Sequence, residues 1–202
     1  MRLFYATGSC SLSPHIVAHE AGIAVHPQKV DLKTKTVAAA GDFLTINPKG
    51  YVPALQLDNG EVLTEGPVIA QYLADLKPET GLAPPAGTMA RYRLQEWLGY
   101  INSELHKTFS LLFRQDTAAE TRTERQVYLR RRYTLVDQRL ESRPYLLGDT
   151  FTAADAYLFT ITSFADVVKF DLASFPNVRA FQERVFARPA VKAAMRAEGL
   201  IQ

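Results

Sequence analysis

The sequence predicts two folds in series. An α/β domain of order βαβ-ββα, built on a mixed four-stranded sheet, precedes an all-α helical bundle. Three observations carry this. Short β-prone runs alternate with helical periodicity up to residue 76. The stretch "KPETGLAPPAGT", 77–88, breaks all periodicity. Beyond it the strand signal is gone and apolar residues recur only at helical spacing. The expected domains are therefore 1–76 and 89–202, with 77–88 as linker.

"RLFY", 2–5, is β-prone and runs into the loop "ATGS". Ser13-Pro14 reads as a helix start, with serine as cap and proline at the first helical position, and Gly22 as its end. "HPQKVDL", 26–32, is the second strand by its alternation. A polar, alanine-containing connection follows, then a short helical piece near Asp42–Ile46 and the turn "NPKG", 47–50. "VPALQL", 52–57, and "EVLTE", 61–65, flank Asn59-Gly60, a pair whose tolerance of positive φ marks a hairpin. Val68, Ile69, Tyr72, Leu73 and Leu76 then fall on one helix face. Parallel pairing across the first helix and antiparallel pairing in the hairpin make the sheet mixed.

In the second domain Leu98, Ile101, Leu105, Phe109 and Leu112 repeat at i+3 and i+4, and so do Leu129, Tyr133, Val136 and Leu140. Thr152-Ala-Ala-Asp155 is a capping box by residue type and opens another helix. Two more helices are split before Pro189.

Composition excludes several classes. The chain has 202 residues, 47% hydrophobic and 22% charged, with a formal net charge of +2. That balance gives no case for nucleic acid, and Arg130-Arg131-Arg132 reads as a solvated helix face. A single cysteine rules out an internal disulfide. The start "MRLFYATGS" lacks the pattern of a secretory signal, and no run approaches the ~18 apolar residues of a membrane span. The expectation is a cytoplasmic protein with no membrane and no metal.

The lone cysteine, Cys10, lies in "GSCSLSPH" between the first strand and the first helix. Amides at a helix tip lack intrahelical partners, and the macrodipole adds positive potential there, so a thiolate is favoured. Cys10-Ser11-Leu12-Ser13 has the spacing of a redox CxxC pair with serine in the second place. An oxidised Cys10 therefore needs an outside thiol. These residues alone leave two readings open, a reactive thiol and a small buried hydrophobe.

"NPKGYVPAL" followed by "LTEGPVIAQYLAD", with "SCSLSPH" before and "FTAADAYLF" after, resembles the bacterial beta-class glutathione S-transferases over the whole chain. The resemblance implies a glutathione transferase fold: a thioredoxin-like, glutathione-binding N-terminal domain and an all-helical C-terminal domain. It implies a homodimer, with glutathione as co-substrate between domains. It assigns Val52 to pairing with the cysteinyl part of glutathione through its backbone, beside a cis Pro53. Gly66 and the helix it opens would receive the γ-glutamyl carboxylate, and Glu65 the ammonium. Lys35, with Lys33, would meet the glycyl carboxylate. Gly99, Ser103 and His106 share one helix face at offsets of four and three. The resemblance gives His106 a hydrogen bond to the reactive sulfur, while Lys107 adds positive potential. Tyr5 ranks as a neighbour of the sulfur. Gly99 departs from the asparagine common in the family, and Asn102 is the candidate to replace it across a dimer.

The implied reaction is conjugation of glutathione's thiol to small hydrophobic electrophiles, of the kind that detoxification handles. Phe109, Phe113 and Phe164 are candidate lining for the electrophile, and Cys10 could form a mixed disulfide with glutathione. Two other readings remain at this point: a glutaredoxin-like thiol–disulfide oxidoreductase, and a non-catalytic transferase-like binding protein.

Overall fold

A computed structural model describes residues 1–38 and 40–202. The alanine-containing connection expected after the second strand falls partly on residue 39, outside the described residues. By contacts the chain divides into Met1–Ala83 with Ala187–Gln202, and Pro84–Phe186.

The first unit runs β1 (Arg2–Tyr5), α1 (Leu12–Glu20), β2 (His26–Asp31), β3 (Thr36–Val37), β4 (Gly41–Asp42), β5 (Ala54–Gln56), β6 (Val62–Thr64) and α2 (Gly66–Asp75). The sheet has six strands in the order β4-β3-β2-β1-β5-β6, where four were expected. The extra pair, β3 and β4, has two residues per strand, too short to show any alternation in sequence. The sheet is mixed as expected: β1 runs parallel to β2 and antiparallel to β5.

Strand period sorts the core. Phe4 faces Val30, Val37, Phe43, Val52 and Ala54. Leu3 and Tyr5 point to the opposite side, where Tyr5 meets His15 of α1. A further helix, α9 (Pro189–Ala197), packs on α1 within this unit. The sequence had assigned that helix to the second domain. Arg188 fixes its start with a fork of two bonds to Glu20, at 2.6 and 2.8 Å.

Two local expectations are corrected. Helix α1 begins at Leu12, so Pro14 is its third residue rather than its first. The fold tolerates this because the first four helix amides have no intrahelical acceptor to lose. The hairpin uses a three-residue loop: the Leu57 amide bonds the Glu61 carbonyl at 2.8 Å, and Gly60 alone takes positive φ, at 89°. That is the glycine-bulge form of the turn, in which Asn59 keeps an ordinary conformation.

The second unit holds α3 (Met89–Tyr100), a π-helical segment at Ile101–His106, α4 (Lys107–Leu112), α5 (Ala119–Leu140), α6 (Ala153–Thr162), α7 (Phe164–Val168) and α8 (Pro176–Phe186). All ten residues of α6 are buried. Phe109, Tyr133, Phe164, Phe170 and Phe175 pack edge to face and stacked around one another. The capping box is present. Asp155 Oδ2 accepts from the amide and hydroxyl of Thr152, and Oδ1 accepts from the Leu146 amide at 2.8 Å. Burial pushes this carboxyl up to about 6. No helix among the described residues is long and apolar enough to cross a membrane.

Candidate active site

In the first unit, the loop after β1 is wired to itself. Ser11 is fully buried. Its hydroxyl accepts from the Ala6 amide at 3.2 Å, donates to the Ala6 carbonyl, and lies 2.7 Å from the Ser9 hydroxyl. The amides following Cys10 are also engaged: Ser11 with Ser9 Oγ, Leu12 with the Ser9 carbonyl, Ser13 with the Cys10 carbonyl. This corrects the expectation of unpartnered amides around the sulfur. The helix dipole remains, but the donors are spent on shaping the loop.

Cys10 is half-buried, and its Sγ donates to the Val52 carbonyl at 3.5 Å. The Val52–Pro53 peptide is cis. A Cβ added at Gly66 would stand 3.4 Å from Pro53 Cγ and 4.0 Å from the Cys10 carbonyl. Thus Cys10, Val52, Pro53 and Gly66 are brought together by the fold of one unit. Ser13, in the place of a second redox cysteine, is buried, and its hydroxyl has no hydrogen-bond partner among the described residues.

Glu65 precedes α2 with φ of 70°, a conformation that costs a non-glycine residue about 1–3 kcal/mol. Its carboxylate accepts from Lys49 Nζ at 2.8 Å and from the Tyr51 hydroxyl at 2.7 Å. The bond to this carboxylate holds both Lys49 and Tyr51 above their usual pKa values. The sequence missed these two residues, although both lie within "NPKGYVPAL". Lys35 bends to the same stretch, donating to the Gly50 carbonyl at 2.7 Å. Lys33 is exposed, with its amide on Asp31.

Tyr5 sits in a buried group with His15 and Glu198. His15 Nδ1 lies 3.1 Å from Glu198 Oε1, and the Thr7 hydroxyl donates to the Glu198 carbonyl at 3.3 Å. Burial raises the pKa of Tyr5, with Glu198's charge adding to it, and burial raises that of Glu198 itself. The chain's C-terminal segment thereby anchors the start of the Cys10 loop, which nothing in the local sequence signalled.

In the second unit, the π segment changes the expected face. The Lys107 amide bonds the Asn102 carbonyl, five residues back, so α-helical spacing fails here. Gly99 and Ser103 are exposed, and the Ser103 hydroxyl donates to the Gly99 carbonyl at 3.0 Å. His106 instead turns into the unit. Its Nδ1 lies 2.8 Å from the Tyr157 hydroxyl, and its ring meets Tyr157 and Phe164 at 5.9 and 5.8 Å. Burial, with Lys107 beside it, pushes His106 down to about 4. Asn102, expected to reach a partner subunit, accepts from the Tyr157 hydroxyl at 3.1 Å. Lys107 is exposed. Of the three phenylalanines, Phe109 is fully buried core, Phe164 is buried beneath Phe113, and Phe113 itself is exposed.

A sheet unit presenting one cysteine beside a cis-proline, joined to an all-helical unit, is a thioredoxin-like domain followed by a helical one. Family models place it further. The model described as "Glutathione S-transferase, N-terminal domain" matches residues 7–76, and "Glutathione S-transferase, C-terminal domain" matches 100–189. The chain is 44% identical over 200 residues to "Glutathione S-transferase GstA" of Escherichia coli O157:H7, covering 99% of this chain and all of that protein. Two solved structures share the fold at TM-score 0.95 over the full length of both chains. One is a sphingomonad glutathione S-transferase complexed with glutathione, 42% identical. The other is a bacterial beta-class glutathione S-transferase of Sphingomonas chungbukensis, 43% identical. The chain belongs to the glutathione S-transferase family, and its likeness is to the bacterial beta class.

Proposed function

We propose that this glutathione S-transferase binds glutathione along the Cys10–Val52–Glu65 face of its first unit and transfers it to a small hydrophobic electrophile. The observation that carries the reading is the convergence of Cys10, Val52, cis-Pro53 and Gly66. These groups suit an extended tripeptide: backbone for its cysteinyl residue, a helix start for one carboxylate, Glu65 for the ammonium, and Lys35 with Lys33 for the other carboxylate. Glu65 already holds a cation, Lys49. An exposed ion pair of this kind is weak, so a ligand's ammonium can displace it. Gly99, Ser103 and His106 complete the proposed binding set, Cys10 and His106 are the proposed catalytic residues, and Tyr5, Lys33, Asn102 and Lys107 support them.

In the reaction the thiol S–H bond breaks, sulfur forms a bond to the electrophilic carbon, and a leaving group such as halide departs with the electron pair of its bond. Cys10 can also hold glutathione as a mixed disulfide, formed by exchange with oxidised glutathione, which releases reduced glutathione. The protein is read as cytoplasmic and as a homodimer. Support for the dimer is a groove of about 580 Å³ on the second unit that sets Trp97, Tyr100 and Leu135 among the charged Arg93, Glu96 and Arg139, a mixture suited to a contact between subunits. Sedimentation of the purified protein tests it.

Retention on immobilised glutathione, followed by conjugation of a chlorodinitrobenzene-type acceptor by wild type and Cys10→Ala, tests the function. Retention and turnover are expected, with Cys10→Ala impaired. Absence of retention overturns the reading. Retention with equal turnover in Cys10→Ala removes Cys10 from catalysis. Retention with disulfide reduction but no conjugation favours the oxidoreductase.

A further inference from the structure

The hydrogen-bond chain Asn102–Tyr157–His106 fixes where the histidine keeps its proton. All three residues belong to the second unit. The Tyr157 hydroxyl donates to Asn102 Oδ1 at 3.1 Å and lies 2.8 Å from His106 Nδ1. A hydroxyl has one hydrogen, and here it is committed to Asn102. Toward the imidazole the tyrosine oxygen is therefore an acceptor, and Nδ1 must supply the hydrogen. A neutral imidazole has only one N–H, so Nε2 carries a lone pair. Neutrality at pH 7 follows from the ring's burial against Tyr157 and Phe164 and from the positive charge of Lys107.

The structure assigns Tyr157 and Asn102 as positioning residues that hold His106 in the Nδ1–H form, so that Nε2 presents a lone pair and can only accept a hydrogen bond. Applied to glutathione, this rests on the proposed function; the tautomer itself does not. The proton balance is simple. As sulfur bonds to carbon, the thiol proton passes to water and the leaving group carries away its electron pair; an imidazole pushed down to about 4 offers Nε2 as a hydrogen-bond acceptor without keeping the proton. Nδ1–H stays on Tyr157 throughout.

The test is a long-range ¹H–¹⁵N correlation of the full-length, ligand-free protein labelled at histidine, at pH 7. His106 is expected to show a pyrrole-type Nδ1 and a pyridine-type Nε2. Asn102→Asp is expected to keep that pattern, because a carboxylate also only accepts from Tyr157. Tyr157→Phe, which retains the buried ring, is expected to lose the pattern and to lower kcat at least about tenfold with the glutathione KM unchanged. A pyridine-type Nδ1 in the wild type overturns the assignment, and so does a pattern that inverts on going to Asn102→Asp. A changed tautomer in Tyr157→Phe with kcat intact overturns the positioning role. Failure of retention on immobilised glutathione would sink the proposed function while leaving the tautomer measurement to stand by itself.

Discussion

Two polar triads, one in each unit, gather residues that carry the proposed chemistry, and they differ in burial. Lys49–Glu65–Tyr51 is half exposed, with Lys49 and Glu65 side chains at 47% and 46% accessibility. Asn102–Tyr157–His106 centres on Tyr157 of the wholly buried helix α6, with Asn102 and His106 half-buried beside it. In water-screened surroundings partners exchange at little cost, which suits a site that must trade an internal cation for a ligand's. Where water is largely kept away, a hydrogen bond is held by the penalty for leaving it unmade, which suits a group that must keep one tautomer. The exposed triad is built to bind and the buried one to orient.

If burial governs the difference, the largest loss comes where burial is complete. Asp155→Ala orphans the Leu146 amide and both donors of Thr152. Urea unfolding is expected to show a loss of about 4 kcal/mol. Next comes the acid limb of His106. Its folded pKa of about 4 lies below the unfolded value near 6.5, so acidification through that window protonates the unfolded chain first and stability falls. Asp155, at about 6, works in the opposite sense, because the folded state keeps its proton where the unfolded chain has lost it. Between pH 6.5 and 4 the wild type is expected to lose more stability than His106→Gln, by up to about 3 kcal/mol. Equal acid limbs in the two proteins would contradict the burial of a neutral ring.

Smaller effects sharpen the contrast. A Cβ at Gly99 meets nothing within 4 Å. Gly99→Ala is therefore expected to raise stability by about 1 kcal/mol in thermal or urea unfolding, the ordinary helix preference with nothing to oppose it. The smallest effect belongs to the exposed triad: Lys49→Met should leave the urea midpoint unchanged. A clear drop there would mean that the surface pair is structural, and that glutathione's ammonium could not displace it cheaply.

The sequence carried the regular parts of this protein because periodicity and turn chemistry are local. β1, α1, β2 and α2 were legible from alternation, helical spacing and the glycine that ends a helix. What was not legible depends on distant parts of the chain. β3 and β4 have too few residues for a pattern. The return of α9 to the first unit depends on Arg188 meeting Glu20 and on Glu198 meeting His15, pairs separated by more than 160 residues. In the site, Glu65 and Cys10 came from motifs, while Lys49 and Tyr51 lay inside a quoted motif and were passed over, Lys49 as part of the turn 47–50. Tyr157 gave no signal, since a tyrosine in an apolar helix looks like core. The shared face of Gly99, Ser103 and His106 failed for a physical reason: the offsets assumed an α-helix, and a π segment occupies that stretch.

The division of labour is tested most directly by kcat and glutathione KM for Glu65→Gln and His106→Asn, measured side by side on the conjugation reaction. The predicted result is a KM for Glu65→Gln raised about tenfold or more at nearly unchanged kcat, and for His106→Asn a lowered kcat at nearly unchanged KM. The reverse assignment, or the same change in both variants, would contradict it.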